Sequence, residues 1–336
     1  MSRTSASSLL ASLVFLASAC GDDAMPVGPA RPDAGVMVDA GPPPPATQWS
    51  VPPTRPAAGT PSDIAAGDVS GAWCGAVSVL GDVVVPVGQT LTVCAGATVS
   101  FTAGSSLTVR GTLQVDGTSA APVFFYAAAA DRWPGIGAQG TVVATYFDVS
   151  GAAVALETLA GADVTVTRGW LHDNDYGLRI GGGGTFDHVA VSGGSTVSTS
   201  GGQLSMTDSI IDLIHPTLSP DCTNFSGGGA TLTHVRFTGC HCPLHFTHTN
   251  GDVAITDSLF DGAAVAMMIA ETRATAHGNA FIATGSAIQD IGGGIVADVS
   301  GNYWEAPTAL STTMAAQFTG ADMQLDAAPA DVGPRP

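Results

Sequence analysis

The chain has 336 residues, of which 43 are Gly and only 11% are charged, and its formal net charge is −18. Such a composition lacks the Leu, Glu and Lys periodicity from which amphipathic helices are built, and it suits short β-branched strands between turns. No Lys occurs and all ten basic residues are Arg, so nothing supplies the basic face that nucleic acid or an anionic lipid surface needs. Tight binding of a polyanion is disfavoured too, unless a bound cation mediates it.

Arg3 precedes an apolar run, Leu9 to Leu16, that ends in Ala17-Ser-Ala-Cys20. The run is too short for a stable membrane span and reads as an export signal over residues 1–20. Small residues before Cys20 resemble a bacterial lipobox, which implies lipid on Cys20 and a chain anchored to a bacterial membrane or cell surface. Ala17 stands where Leu is usual. A simple secretory cleavage, giving a periplasmic or secreted chain, is the alternative. Residues 21–62 hold eleven of the 21 Pro with Ala, Gly and Asp, and they cannot bury enough surface to offset their ordering entropy. They read as a disordered tether with a reach of about 35 Å.

From residue 63 to 305 short alternating strands recur. Leu204-Ser-Met-Thr-Asp-Ser-Ile-Ile-Asp212, Leu232-Thr-His-Val-Arg-Phe-Thr-Gly239 and Val253-Ala-Ile-Thr-Asp-Ser-Leu-Phe-Asp261 repeat one theme. A period of roughly 20–28 residues fits one coil of a solenoid and is too short for a sandwich or a βαβ unit. Inward Val, Ile, Leu and Phe would then stack from rung to rung at ~4.8 Å. The weakly patterned residues 306–336 are expected to form a C-terminal cap or tail, part of it closing the last coil.

Leu91-Thr-Val, Ala97-Thr-Val-Ser-Phe101, Leu107-Thr-Val, Leu113-Gln-Val115 and Trp133-Pro-Gly-Ile136, with Gly278-Asn-Ala-Phe281 and Gly301-Asn-Tyr-Trp304, resemble the right-handed parallel β-helix, or pectate-lyase-like, superfamily. The resemblance covers roughly residues 75–305. It implies an all-β, single-stranded solenoid of about ten coils and carries no activity by itself. Enzymes of that superfamily cleave or epimerise acidic polysaccharides with clustered carboxylates, Ca²⁺ and an Arg or Lys base. Here Asp173-Asn-Asp175 and Arg179-Ile-Gly181 are faint echoes, and no Asp-Asp pair or Gly-His-Gly stands in the coils.

Superposing the coils puts Asp175, Asp221 and His241 in one column and Arg179 and His245 in another, with His172 just upstream. The candidate catalytic set is Asp175, Arg179, Asp221 and His241. A ligand-binding ledge would add His172, Asp173 and His245. The densest polar segment, Cys240-His-Cys-Pro-Leu-His-Phe-Thr-His248, offers a Zn²⁺ or Cu site from His215, Cys240, His241 and His245. Strand alternation, however, sets Cys242 and Leu244 on one face and His241 and His245 toward the other. Cys74 and Cys94 lie a coil apart and suit a disulfide, which export permits. Cys222 is expected to bond Cys242, with Cys240 as the next choice, leaving one thiol.

The expectation is an exported, monomeric surface module for structure, adhesion or polysaccharide binding, meeting the membrane only through lipid on Cys20. The alternatives are a polysaccharide lyase or hydrolase, and a periplasmic metal-binding accessory protein.

Overall fold

A strand of three or four alternating residues buries little on its own. Here it gains a partner because the same inward position recurs one coil later. In the computed structural model the described residues are 50–194, 196–212, 222–249, 251–270, 272–282, 284, 286–290, 296–305, 318–319, 325 and 327–336. The chain divides into two units, Met1–Met37 and Val38–Pro336, and every described residue belongs to the second. Cys20, His215 and Asp221 lie outside the described residues.

Among the described residues there is no α-helix, and parallel strands stack into a β-solenoid of about nine turns. Each coil gives three segments. In one of them Val253–Thr256 and Leu259–Asp261 belong to a 21-stranded sheet, and Val265–Ala270 to an 11-stranded sheet. The fold class is the parallel β-helix expected from the repeat.

One inward column shows how the core is built. Val93, Val115, Ala144, Val166, Phe186, Met206, Leu232, Ile255 and Ala276 sit in register on successive rungs. All are at most 1% exposed. Each buried aliphatic side chain contributes roughly 1.5–3 kcal/mol, so the column is a continuous apolar spine. The aromatic stack Phe237–Phe260–Phe281–Trp304, with centroids 4.9, 4.5 and 3.9 Å apart, runs beside it.

The bend between the two segments of the larger sheet has a single conformational cause. Tyr146, Arg168, His188, Asp208, His234 and Asp257 occupy the left-handed region in successive coils, with φ between 45° and 58°. Gly278 and Gly301 take over at 68° and 66°. A non-glycine residue there costs about 1–2 kcal/mol, and the stacked coils on either side hold it in place. The next residue points inward. Val189 N–H donates to Ser209 Oγ, Val235 N–H to Ser258 Oγ, Ser258 N–H to Asn279 Oδ1 and Asn279 N–H to Asn302 Oδ1, at 2.9–3.1 Å. The Gly-Asn-x-aromatic endings are thus the last two steps of this column: a left-handed turn, a buried amide that satisfies turn backbone, then a stacking ring.

Two ends differ from expectation. Residues 50–61 fall in the expected tether, yet Arg55 Cζ lies 3.6 Å above the Tyr126 ring centroid, and the first strand, Ser62–Ile64, pairs with Ala76–Val79. At the other end Phe318–Thr319 pairs with Val296–Asp298. The last residues do something else. Val332 is 7% exposed and packs on Leu259 and Ala280. Gly333 N–H donates to Asp257 O at 2.8 Å, His234 Nδ1 meets Asp331 O at 3.0 Å, and Arg335 binds Asp208. The C-terminus therefore runs back across the coils along the left-handed bend.

Candidate functional site

Among the described residues, a strongly buried aspartate on an outward position of the large sheet is found by the fold, not by a motif. Asp148 sits on the strand Thr141–Ser150 between inward Phe147 and Val149, and it is 3% exposed. One rung on, Ser150 is in register with His172. His172 Nε2 lies 3.1 Å from Asp148 Oδ2, and its Nδ1 lies 2.7 Å from Asp173 Oδ2. Burial opposes a charge on His172, but the two carboxylates outweigh it and raise its pKa to about 8. For Asp148, burial pushes the pKa up and the contact with His172 only partly opposes this. The group is a histidine ring held between two aspartates.

The Asp173-Asn-Asp175 triplet is a corner whose three side chains part. Asn174 is fully buried, takes the Ala152 N–H at 2.8 Å and donates to Val149 O at 3.0 Å. Asp173, in the left-handed region at φ 55°, faces His172. Asp175 is paired with Arg132 Nε at 2.7 Å, and the Arg132 guanidinium also donates to the Asp173 and Ala152 carbonyls. Arg179 is 3.5 Å from Glu157, with its guanidinium carbon 4.5 Å from the Tyr176 ring centroid.

Of the candidate ledge, Asp221 lies outside the described residues, and Asp175, Arg179, His241 and His245 do not converge. Arg179 and His245 do share an outward column, but Ser198 and Asn224 lie between them, a separation of about 14 Å at the rung spacing. General acid–base chemistry needs two groups facing one bond. Both ring nitrogens of His172 already face carboxylates, and Asp175 is held by Arg132.

Beside Arg179 the outer face of the smaller sheet is hollowed. A cleft of about 220 Å³ is lined by Thr108, Pro134, Gly135, Gly137, Gln139 and Glu157, among others. Gly135 (φ 108°) lets this strand lie close against its neighbour beside the hollow, since a Cβ there would lie 1.6 Å from Val154 O. Glu157, the last of these residues, is in register with Arg179, which ties the cleft to the Arg179–Tyr176 pair.

The cysteine segment departs from expectation in one respect. Cys74–Cys94 forms as expected, with Cα atoms 4.9 Å apart. Cys222 bonds Cys240, not Cys242. Cys222 does align with Cys242, its N–H donating to the Cys242 carbonyl at 3.2 Å, but alignment of backbone is not convergence of side chains. Cys222 and Cys240 pack into the apolar core, while Cys242 turns to the other side of a corner that follows Gly239 at φ 70°. That corner also cancels the alternation expected of Cys242 and His241. His241 Nδ1 lies 3.2 Å from Cys242 Sγ, which is 3.3 Å from Met268 Sδ. Cys240, being oxidised, drops out of the expected metal set.

One cluster escaped the sequence altogether. Asp187, His188 and Asp208 bring donor atoms within 4.8 Å of one another. The cation beside them is the chain's own: Arg335 donates from its backbone N, Nε and Nη2 to Asp208 at 3.1, 2.8 and 2.7 Å. These partners are 127 residues apart, and no local pattern announces them.

No protein-family model, curated protein or solved structure matches the chain.

Proposed function

We propose that the chain is an exported, lipid-anchored β-helix that binds a neutral polysaccharide strand across the outer face of its smaller sheet without cleaving it. The observation that carries this reading is the glycine-floored cleft flanked by Glu157, Arg179 and Tyr176. A shallow apolar floor with an aromatic face and a few convergent polar groups is the chemistry that suits a sugar ring. The net charge of −18 favours an uncharged glycan over a uronate polymer. Two disulfides agree with an oxidising, non-cytoplasmic setting, and the segment before Cys20 supports the anchor.

The test is affinity electrophoresis or calorimetry of the mature protein against a panel of neutral and uronate polysaccharides. Tyr176→Ala and Glu157→Ala are expected to weaken neutral-glycan binding at least tenfold. Binding that is unchanged in both variants would remove the cleft from consideration. Release of reducing ends or unsaturated uronates during the incubation would establish the lyase or hydrolase reading in its place. Cys20→Ser is expected to move the protein from the membrane to the soluble fraction.

A further inference from the structure

We propose that Cys242 Sγ, Met268 Sδ and His241 Nδ1 form a binding site for a soft monovalent metal ion of the copper(I) class. A thiol, a thioether and an imidazole nitrogen meet here with successive donor separations of 3.2 and 3.3 Å. An ion with bonds of roughly 2.0–2.3 Å to N and S would set neighbouring donors about 3.7–4.0 Å apart in a three-coordinate site, so these donors would open by roughly 0.5–0.7 Å to take it. Thiolate and thioether select soft ions, whereas Ca²⁺ and Mg²⁺ demand oxygen.

Charge narrows the choice further. Cys242 is 0% and Met268 8% exposed. The metal bond forms to Cys242 Sγ as the thiol proton leaves to solvent, so a monovalent ion with one thiolate makes a neutral buried unit. A divalent ion in the same set would leave an uncompensated positive charge, which a dry site disfavours.

The site is built by the fold. The His241 carbonyl accepts the N–H groups of Ala264 and Val265 at 3.0 and 3.1 Å, which pins the corner to the next coil, the one that carries Met268. Thr223 Oγ1 donates to Pro243 O at 2.7 Å and fixes it to the preceding coil. Cys222–Cys240 engages the two sulfurs with which Cys242 would otherwise pair. His241 is exposed and gives an ion its way in from solvent. The inference is independent of the glycan cleft.

The experiment is anaerobic titration of the disulfide-intact mature protein with Cu(I) against a colorimetric Cu(I) chelator, with the ultraviolet thiolate-to-copper charge-transfer band as a second readout. One equivalent is expected to bind and to bring up that band, and excess Zn²⁺ is expected not to displace it. Met268→Leu keeps the volume and is expected to weaken Cu(I) binding roughly ten- to hundredfold. Cys242→Ser is expected to abolish it. Failure of the wild-type protein to take up Cu(I), or uptake that Met268→Leu leaves unchanged, would overturn the proposal. Should Cys242→Ser not fold, the charge-transfer band and the chelator competition in the wild type and Met268→Leu still decide.

Discussion

Replacing His172 with Gln isolates the charge in the Asp148–His172–Asp173 group. The side chain of His172 is 20% exposed and that of Asp148 only 4%, so solvent screens their interaction weakly. Raising the imidazole pKa from 6.5 to about 8 corresponds to about 2 kcal/mol of stabilisation of the folded state. The folded value is the higher one, so this stabilisation is complete below pH 6.5 and disappears as the pH rises through 8. For a body of this size, ~2 kcal/mol corresponds to about 4–8 °C in Tm. Thermal unfolding at pH 6 and pH 9 is expected to show that drop in the wild type and a much flatter profile in His172→Gln, which is less stable at pH 6. Solenoid coils need not melt together, so an NMR titration of the His172 ring provides the site-specific value. Parallel pH profiles for wild type and variant, or a ring that titrates near 6.5, would refute the reasoning.

The C-terminal strap gives a second prediction. Burial of Asp208 favours its neutral form, but the three hydrogen bonds from Arg335 outweigh this and hold its pKa below 3.8. The resulting stability is present above pH 3.8 and is lost as the pH falls through the depressed value. The Arg335 side chain is 55% exposed, so Arg335→Ala is expected to cost only about 1 kcal/mol at pH 7 and progressively less as the pH falls below 3.8, as read by denaturant titration. The cleft gives a third. Gly135→Ala places a methyl group 1.6 Å from Val154 O at φ 108°, whereas Gly137→Ala meets nothing within 4 Å. The first is expected to cost at least ~3 kcal/mol and the second less than ~1 kcal/mol, measured by thermal melts of the two variants side by side.

Much of the fold was legible because a solenoid writes its core into the sequence at a fixed period. Met206, Leu232 and Ile255 come from the three repeated segments and stack in register. Asn279 and Asn302 of the Gly-Asn-x-aromatic endings are hydrogen-bonded to each other at 2.9 Å. The polar sites were legible only in part. Aligning the coils did put Arg179 and His245 in one column, but a column is a direction along the stack, and three rungs separate them. Asp148 was passed over because a single Asp between Phe147 and Val149 has the pattern of an ordinary outward position. Superposing Phe147–Ser150 on Gly169–His172 would have brought it beside His172.

By itself, then, the sequence determined the parallel, in-register stacking, because one apolar alternation repeated every coil can be buried only against its own copies. It also determined the acidic, Lys-free surface and, through Cys74 and Cys94, the first disulfide. Tertiary structure decided which polar atoms meet. Corners such as Gly239–Cys242 break the alternation that strands obey. Successive left-handed bends from Tyr146 to Asp257 lie 20 to 26 residues apart, so side chains one coil apart have no constant offset in sequence. The choice of Cys240 over Cys242, the convergence of His241, Cys242 and Met268, and the return of Arg335 to Asp208 all depend on where those corners and the chain end come to rest in space.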